Sequence, residues 1–311
     1  LDVAVFNGTF ASHTIGFSAG TITVTDGAAA VDGNDGSDTL TNVEALVFKN
    51  GQKVLIVDSA SQYGSFITIA AAVAAAAAGD VIYVIGRAAD YAGATLDKAL
   101  TIIGVNVGDG EATVAASSGS ALTIDLAAAG DVTIDNIDLD GTGSGDTGIT
   151  IAADADVGTL TYKNGTISGF DQYGLYASHE ANLTNTPMAN LVLTNVDMAN
   201  NAFANSNGAH IKLFGYAGNA TFNDVVIDGA PTTSGRPANA IEIVGGLSAP
   251  GAANPAPDAS PDIGSIVFNG VDVNGNFTKN PVAIYNFGQI DGLSFTVGTG
   301  VHRKSTRLVS S

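Results

Sequence analysis

Apolar and polar residues alternate along this chain in short runs, and helical spacing of apolar positions is rare. Runs such as "GITIAA", "GAHIKLF" and "AIEIV" follow a period of two, the pattern of strands with one buried face. Gly, Asn and Asp punctuate these runs, as expected of turns. Residues 67–86, "ITIAAAVAAAAAGDVIYVIG", depart from the pattern. They begin as an alanine-rich helix former, stop at Gly79-Asp80 and resume as a strand. A short helix near residues 67–78 is therefore expected within an otherwise all-β chain.

The runs repeat. Five octets share the order apolar, any, Asn/Asp/Gly, two of any kind, apolar, any, Gly/Asn. They are "IDNIDLDG" from Ile134, "YKNGTISG" from Tyr162, "LTNVDMAN" from Leu193, "FNDVVIDG" from Phe222 and "FNGVDVNG" from Phe268, with starts 28, 31, 29 and 46 residues apart. The longest interval holds a Pro/Ala/Gly stretch at 246–264, which reads as an inserted loop. A strand-turn unit of this length cannot bury its apolar side alone, whereas stacked units share one core. Asn at the recurring turn tolerates left-handed backbone, and stacked Asn side chains hydrogen-bond along the stack. A β-sandwich also has short strands, but it would not repeat Asn and Gly at fixed offsets. The expectation is a parallel β-helix.

Composition narrows the setting. The 311 residues carry 30 acidic and 11 basic side chains, a net charge of −19. Such a surface repels phosphate backbones and anionic lipid, which argues against nucleic acid and membrane partners. There is no cysteine, so rigidity must come from a regular core or a bound cation such as calcium. The longest apolar run is too short to span a bilayer. No signal-peptide pattern opens the chain at Leu1, so a mature form or a fragment is expected.

The helix leading into "GDVIYVIG", followed by a Tyr-containing turn and "LTIIG" from Leu100, resembles the capped first coils of right-handed parallel β-helix proteins of the pectin-lyase-like superfamily. The resemblance spans residues 62–298 and implies the fold. It leaves the chemistry open, because that fold hosts lyases, hydrolases, epimerases and adhesins.

A second resemblance lies upstream, in "DGNDGSDTLTNVEALVFKNG" at 32–51. Gly33, Gly36, Asp38 and Leu40 match positions 1, 4, 6 and 8 of the calcium-binding nonapeptide of RTX proteins, with Asn34 where the second Gly belongs. The segment from Leu40 to Gly51 is similar to a "D-x-L-x-N-V-E-x-L-x-F-x-D-G" stretch of secreted bacterial RTX-type proteins. The resemblance implies an extracellular or cell-surface location and a calcium ion held through Asp35 and Asp38. The expected division is an RTX-like β segment at 1–58, a β-helix at 59–300, and at 301–311 an appended or disordered tail continuing no coil.

Candidate chemistry follows from aligning coils. Setting Gly148, Gly174, Gly208 and Ala240 level places Thr150, Tyr176, His210 and Glu242 in one outward row, with Lys212 in the next. Tyr176, His210, Lys212 and Glu242 would then form an acid–base patch, in which Lys212 neutralises a uronate, His210 or Tyr176 takes a proton and Glu242 orients the imidazole. His179 and Glu180 lie at its edge. "QYGLYASHEAN" is similar to the "Y-G-F-D-P-H-E" site of mannuronan C5-epimerases through Tyr173, Gly174, His179 and Glu180, with one extra residue and no Asp-Pro pair.

Two functions fit. The first is an extracellular surface or matrix β-helix protein with a structural, adhesive or glycan-binding role, and with self-association as a further expectation. The alternative is a polysaccharide-active lyase, C5-epimerase or glycoside hydrolase using the patch.

Overall fold

The computed structural model describes residues 2–27, 36–64, 66–107, 110–141, 145–178, 188–202, 207–229, 237–245, 263–286, 294–297 and 306–310. It is an all-β chain with large parallel sheets. The N-terminal part holds β1 (Val3–Val5), β2 (His13–Ser18), β3 (Thr21–Asp26), β4 (Ser37–Leu40), β5 (Ala45–Val47) and β6 (Lys53–Val57). A helix, α1 (Ile69–Ala75), follows. Next come β7 (Val81–Ile85), β8 (Tyr91–Ala92), β9 (Ala94–Leu96), β10 (Thr101–Val105), β11 (Thr113–Ala115), β12 (Ser120–Ile124), β13 (Gly130–Asp135), β14 (Asp138–Asp140) and β15 (Thr147–Ile151). The last ten are β16 (Val157–Ser168), β17 (Tyr173–Ser178), β18 (Met188–Ala199), β19 (Ala209–Phe214), β20 (Asn219–Asp228), β21 (Asn239–Gly245), β22 (Ser265–Asn274), β23 (Val282–Asn286), β24 (Ser294–Val297) and β25 (Thr306–Ser310).

From β15 onward the chain alternates between two sheets. One contains β16-β18-β20-β22-β24, the other β15-β17-β19-β21-β23-β25, and each strand lies parallel to the one a repeat later. The octets stack in register, with Ile134 level with Tyr162, then Leu193, Phe222 and Phe268. All five of these first residues are buried. The third octet residues, Asn136, Asn164, Asn195, Asp224 and Gly270, all have φ between 50° and 64°. The left-handed residue bends each strand so that octet positions 1 and 4 both face the core. Asn195 donates to Asn164 Oδ1 at 3.1 Å, and Asn164 to Asp135 Oδ1 at 2.7 Å, so the turn amides bond along the stack. Where the first residue is Tyr162, its hydroxyl reaches the Ile137 carbonyl at 2.6 Å. The fourth residue there is Gly165, whose added Cβ would stand 2.7 Å from that hydroxyl.

The register of Phe222 with Phe268 keeps both ends of the 46-residue interval on the same stack. Of the expected loop, residues 246–262 lie outside the described residues.

The helix forms where the alanine run predicts it but is shorter. Thr68 Oγ1 caps it by accepting from Ala71 N, and Ile69, Ala72 and Val73 turn inward against the first strands. Asp80 ends the segment. Its two oxygens accept from Ala77 N and Lys53 N, both at 2.8 Å.

Two pairings lie at the expected boundaries. β6 pairs parallel with β7, so the sheet runs straight across residue 58. The three-stranded antiparallel sheet β2-β3-β4 packs on the outer side of those strands through Phe17, which meets Tyr63 at 5.6 Å and Tyr83 at 5.5 Å. Of the expected tail at 301–311, residues 306–310 are described and form β25. β25 adds to the edge of β23, with Leu308 level with Ile284. A ladder needs only extended backbone beside an open edge.

One contact has no sequence signature. Asp58 and Arg87 form a buried two-bond ion pair, with both bonds at 2.7 Å and side-chain exposures of 0% and 6%. Asp58 also accepts from Ala60 N, Gln62 N and Tyr63 N. Burial raises the Asp58 pKa, but the Arg87 bond and the three amide donors outweigh it, so its carboxyl sits below the usual value of 3.8.

Candidate functional site

The strands of the second sheet put six side-chain positions level on successive rungs: Thr95, Thr123, Thr150, Tyr176, Lys212 and Glu242. These side chains point away from the core, because the residues flanking Tyr176, Lys212 and Glu242 along their strands are buried. Three of the expected site residues, Tyr176, Lys212 and Glu242, are therefore direct rung neighbours.

Around them an aromatic surface forms. Tyr173 and Tyr176, both on β17, stack nearly parallel, with centroids 4.6 Å apart and planes at 15°. The Lys212 ammonium lies 6.0 Å from the Tyr173 ring centre and 5.9 Å from that of Phe214. It also stands 3.3 Å from Glu242 Oε2, an ion pair without hydrogen-bond alignment. Both charged side chains are about five-sixths covered, at 17% and 15% exposure, while Phe214 is exposed. On the rung before Tyr176, Thr150 shares a 2.7 Å hydrogen bond with Ser120.

His210 is not on this face. The sequence alignment set Gly208 level with Gly174, but in the structure His210 takes that rung, next to Gly174 and Ala240. That position is a corner whose side chain points inward: a Cβ on Gly174 would lie 2.6 Å from Met198 Cε and 3.1 Å from Asn201 Nδ2. The imidazole is fully buried, with Nδ1 3.3 Å from Asn201 Nδ2 and its ring 6.2 Å from Phe277. Burial pushes its pKa down to about 3. It is a neutral core residue and has no part in acid–base work at this surface. The alignment failed because a corner places two consecutive residues inward, which a strict period of two does not allow.

His179 and Glu180 lie outside the described residues, as does Asp35. Asp38 is exposed on β4, which pairs antiparallel with β3. Among the described residues no group of three His, Asp or Glu side chains is placed to hold a metal ion. Tyr173 and Phe214 are the residues the alignment did not gather. The recurrence of aromatics in "YGLY" and "IKLF" is the signal that could have found them.

Beside the first rungs lies an open groove of about 600 Å³. Its walls are Ala70, Val73 and Ala74 of α1 on one side, and Thr95, Ser118, Ser120 and Thr123 on the other. Among the described residues no helix is long and apolar enough to cross a membrane.

No family model matches the chain, and no curated protein matches it. One solved structure to which it is similar is an alginate lyase of the PL6 family, AlyGC, with a TM-score of 0.39 and 17% identity over 75% of this chain. The chain spans 38% of that enzyme's length.

Proposed function

We propose that this protein is an extracellular carbohydrate-binding module built as a right-handed parallel β-helix. The observation that carries the reading is the Tyr173–Tyr176 stack beside the Lys212–Glu242 pair on an outward row. Pyranose rings present apolar C–H faces that pack on aromatic rings, and neighbouring polar groups then fix orientation through hydrogen bonds. The stacked octets and the alternation between two parallel sheets support the β-helix.

Tyr176→Ala is expected to weaken binding to immobilised polysaccharide about tenfold, equivalent to roughly 1.4 kcal/mol, while leaving the melting temperature within a few degrees. Affinity electrophoresis across a polysaccharide panel reads this directly. Binding that survives in the Tyr173→Ala, Tyr176→Ala double variant would remove the platform from the reading.

The second reading is a polysaccharide-active enzyme. It is favoured by the phenol, ammonium and carboxylate of Tyr176, Lys212 and Glu242 on consecutive rungs. Here Lys212 would hold an acidic group and Tyr176 would move the proton. Release of new reducing ends or unsaturated products by the wild-type protein, lost in Lys212→Met, would establish it.

The RTX-type resemblance adds one calcium ion to this reading, held through Asp35 and Asp38. A ligand bound only by the folded chain raises its stability. Millimolar calcium added after chelation should therefore raise the melting temperature, and the rise should vanish in Asp38→Ala. An unchanged melting temperature would remove calcium from the account.

A further inference from the structure

The row that carries the tyrosines does not stop at them. With rungs ~4.8 Å apart, the span from Thr95 to Glu242 is ~24 Å long. Its first two rungs, Thr95 and Thr123, line the groove beside α1. That groove has an apolar wall and a hydroxyl wall, the pairing that suits a sugar with one C–H face and equatorial hydroxyls.

Among the described residues, charge along the row is balanced. Lys212 is matched by Glu242 at 3.3 Å. At the other end the charged group of the groove wall is Asp97, and the adjacent Lys98 donates to Asp97 Oδ1 and to the Val73 carbonyl, both at 2.9 Å. Arg307 holds a position two rungs beyond Glu242, past Ala283, and so falls outside the span. Among the described residues between Thr95 and Glu242, no cation on the row is left over. A polyuronate would bring a carboxylate to every unit, strip it of water without a matched partner, and approach a molecule of net charge −19. A neutral chain meets none of these costs.

We infer that the ligand is a neutral polysaccharide lying lengthwise along this row, from the α1 groove to the tyrosine stack. The inference rests on the carbohydrate-binding reading above and names its substrate class.

The test compares two oligosaccharide series on the wild-type protein by calorimetry. One is neutral (gluco-, manno- and xylo-oligomers) and the other acidic (mannuronate and galacturonate oligomers), from disaccharide to octasaccharide. A neutral series is expected to bind with affinity that rises with length and changes little with salt, and to exceed the acidic oligomers at least tenfold. Glu242→Gln, which leaves Lys212 unmatched, should gain salt-sensitive uronate binding. Thr95→Trp, a bulky replacement at an exposed groove position, should abolish the dependence on length. Tighter binding of uronates than of neutral oligomers, lost in Tyr176→Ala, would overturn the neutral class and keep the carbohydrate-binding face. Length-independent neutral binding, indifferent to Thr95→Trp, would overturn the lengthwise placement. Binding of neither series would sink both readings.

Discussion

Replacing Asp58 by Ala is expected to cost about 3–5 kcal/mol of folding stability, the range for breaking a buried ion pair by removing one partner. The size follows from what is stranded. Arg87 would keep its charge at 6% exposure with both carboxylate bonds gone, and the amides of Ala60, Gln62 and Tyr63 would lose their acceptor. Arg87→Met should cost a similar amount, because Asp58 would then be a buried anion held by amides alone. The double variant Asp58→Ala, Arg87→Met should recover part of the loss, since no unmatched charge remains. Urea denaturation of the four proteins measures the cycle. Single variants within 1 kcal/mol of wild type would mean that the pair opens to water. The consequence for architecture is local. Asp58 ends the N-terminal hairpin and Arg87 follows β7, so the pair clasps the N-terminal segment to the first strands of the parallel stack.

The second large effect is a loss of stability in mild acid that passes through His210. Its ordinary pKa is 6.5, and in the folded chain burial lowers it to about 3. Between those values the unfolded chain takes up a proton that the folded chain refuses. Stability therefore falls as pH drops below 6.5, by about 1.4 kcal/mol per unit, and the fall ends near pH 3. At pH 4.5 the loss should reach about 3 kcal/mol. His210→Gln cannot titrate, so the part of the slope that His210 supplies over pH 6.5–4.5 should vanish. Asp58 acts in the same direction but only lower, as pH falls below its ordinary 3.8, so the two contributions separate on a pH series. Equal slopes in wild type and His210→Gln over the upper window would refute the assignment.

These two residues also mark where reading the chain by pattern stops working. Local rules sufficed wherever one backbone requirement recurs. The octets announce themselves because each stacked turn needs a left-handed residue at its third position, and Asn136, Asn164, Asn195, Asp224 and Gly270 all supply it. The helix was legible from alanine content and the Gly79-Asp80 stop, although packing against the first strands trimmed it to Ile69–Ala75. The rung order of Tyr176 and Glu242 followed from the same periodicity. Lys212 falls one row away when Gly208, rather than His210, is set at the corner.

The amino-acid sequence alone determined the all-β class, the repeating unit and the acidic surface, since these depend on local backbone preference and composition. Tertiary structure alone decided which side chains meet. The pairing of Asp58 with Arg87, the inward turn of His210, the joining of Tyr173 and Phe214 to the Lys212–Glu242 pair, and the docking of β25 on β23 all depend on how successive turns stack in space. A two-residue shift at one corner is almost invisible in the hydrophobic pattern, because it preserves the alternation on either side. In three dimensions it exchanges an imidazole for an ammonium on the exposed face.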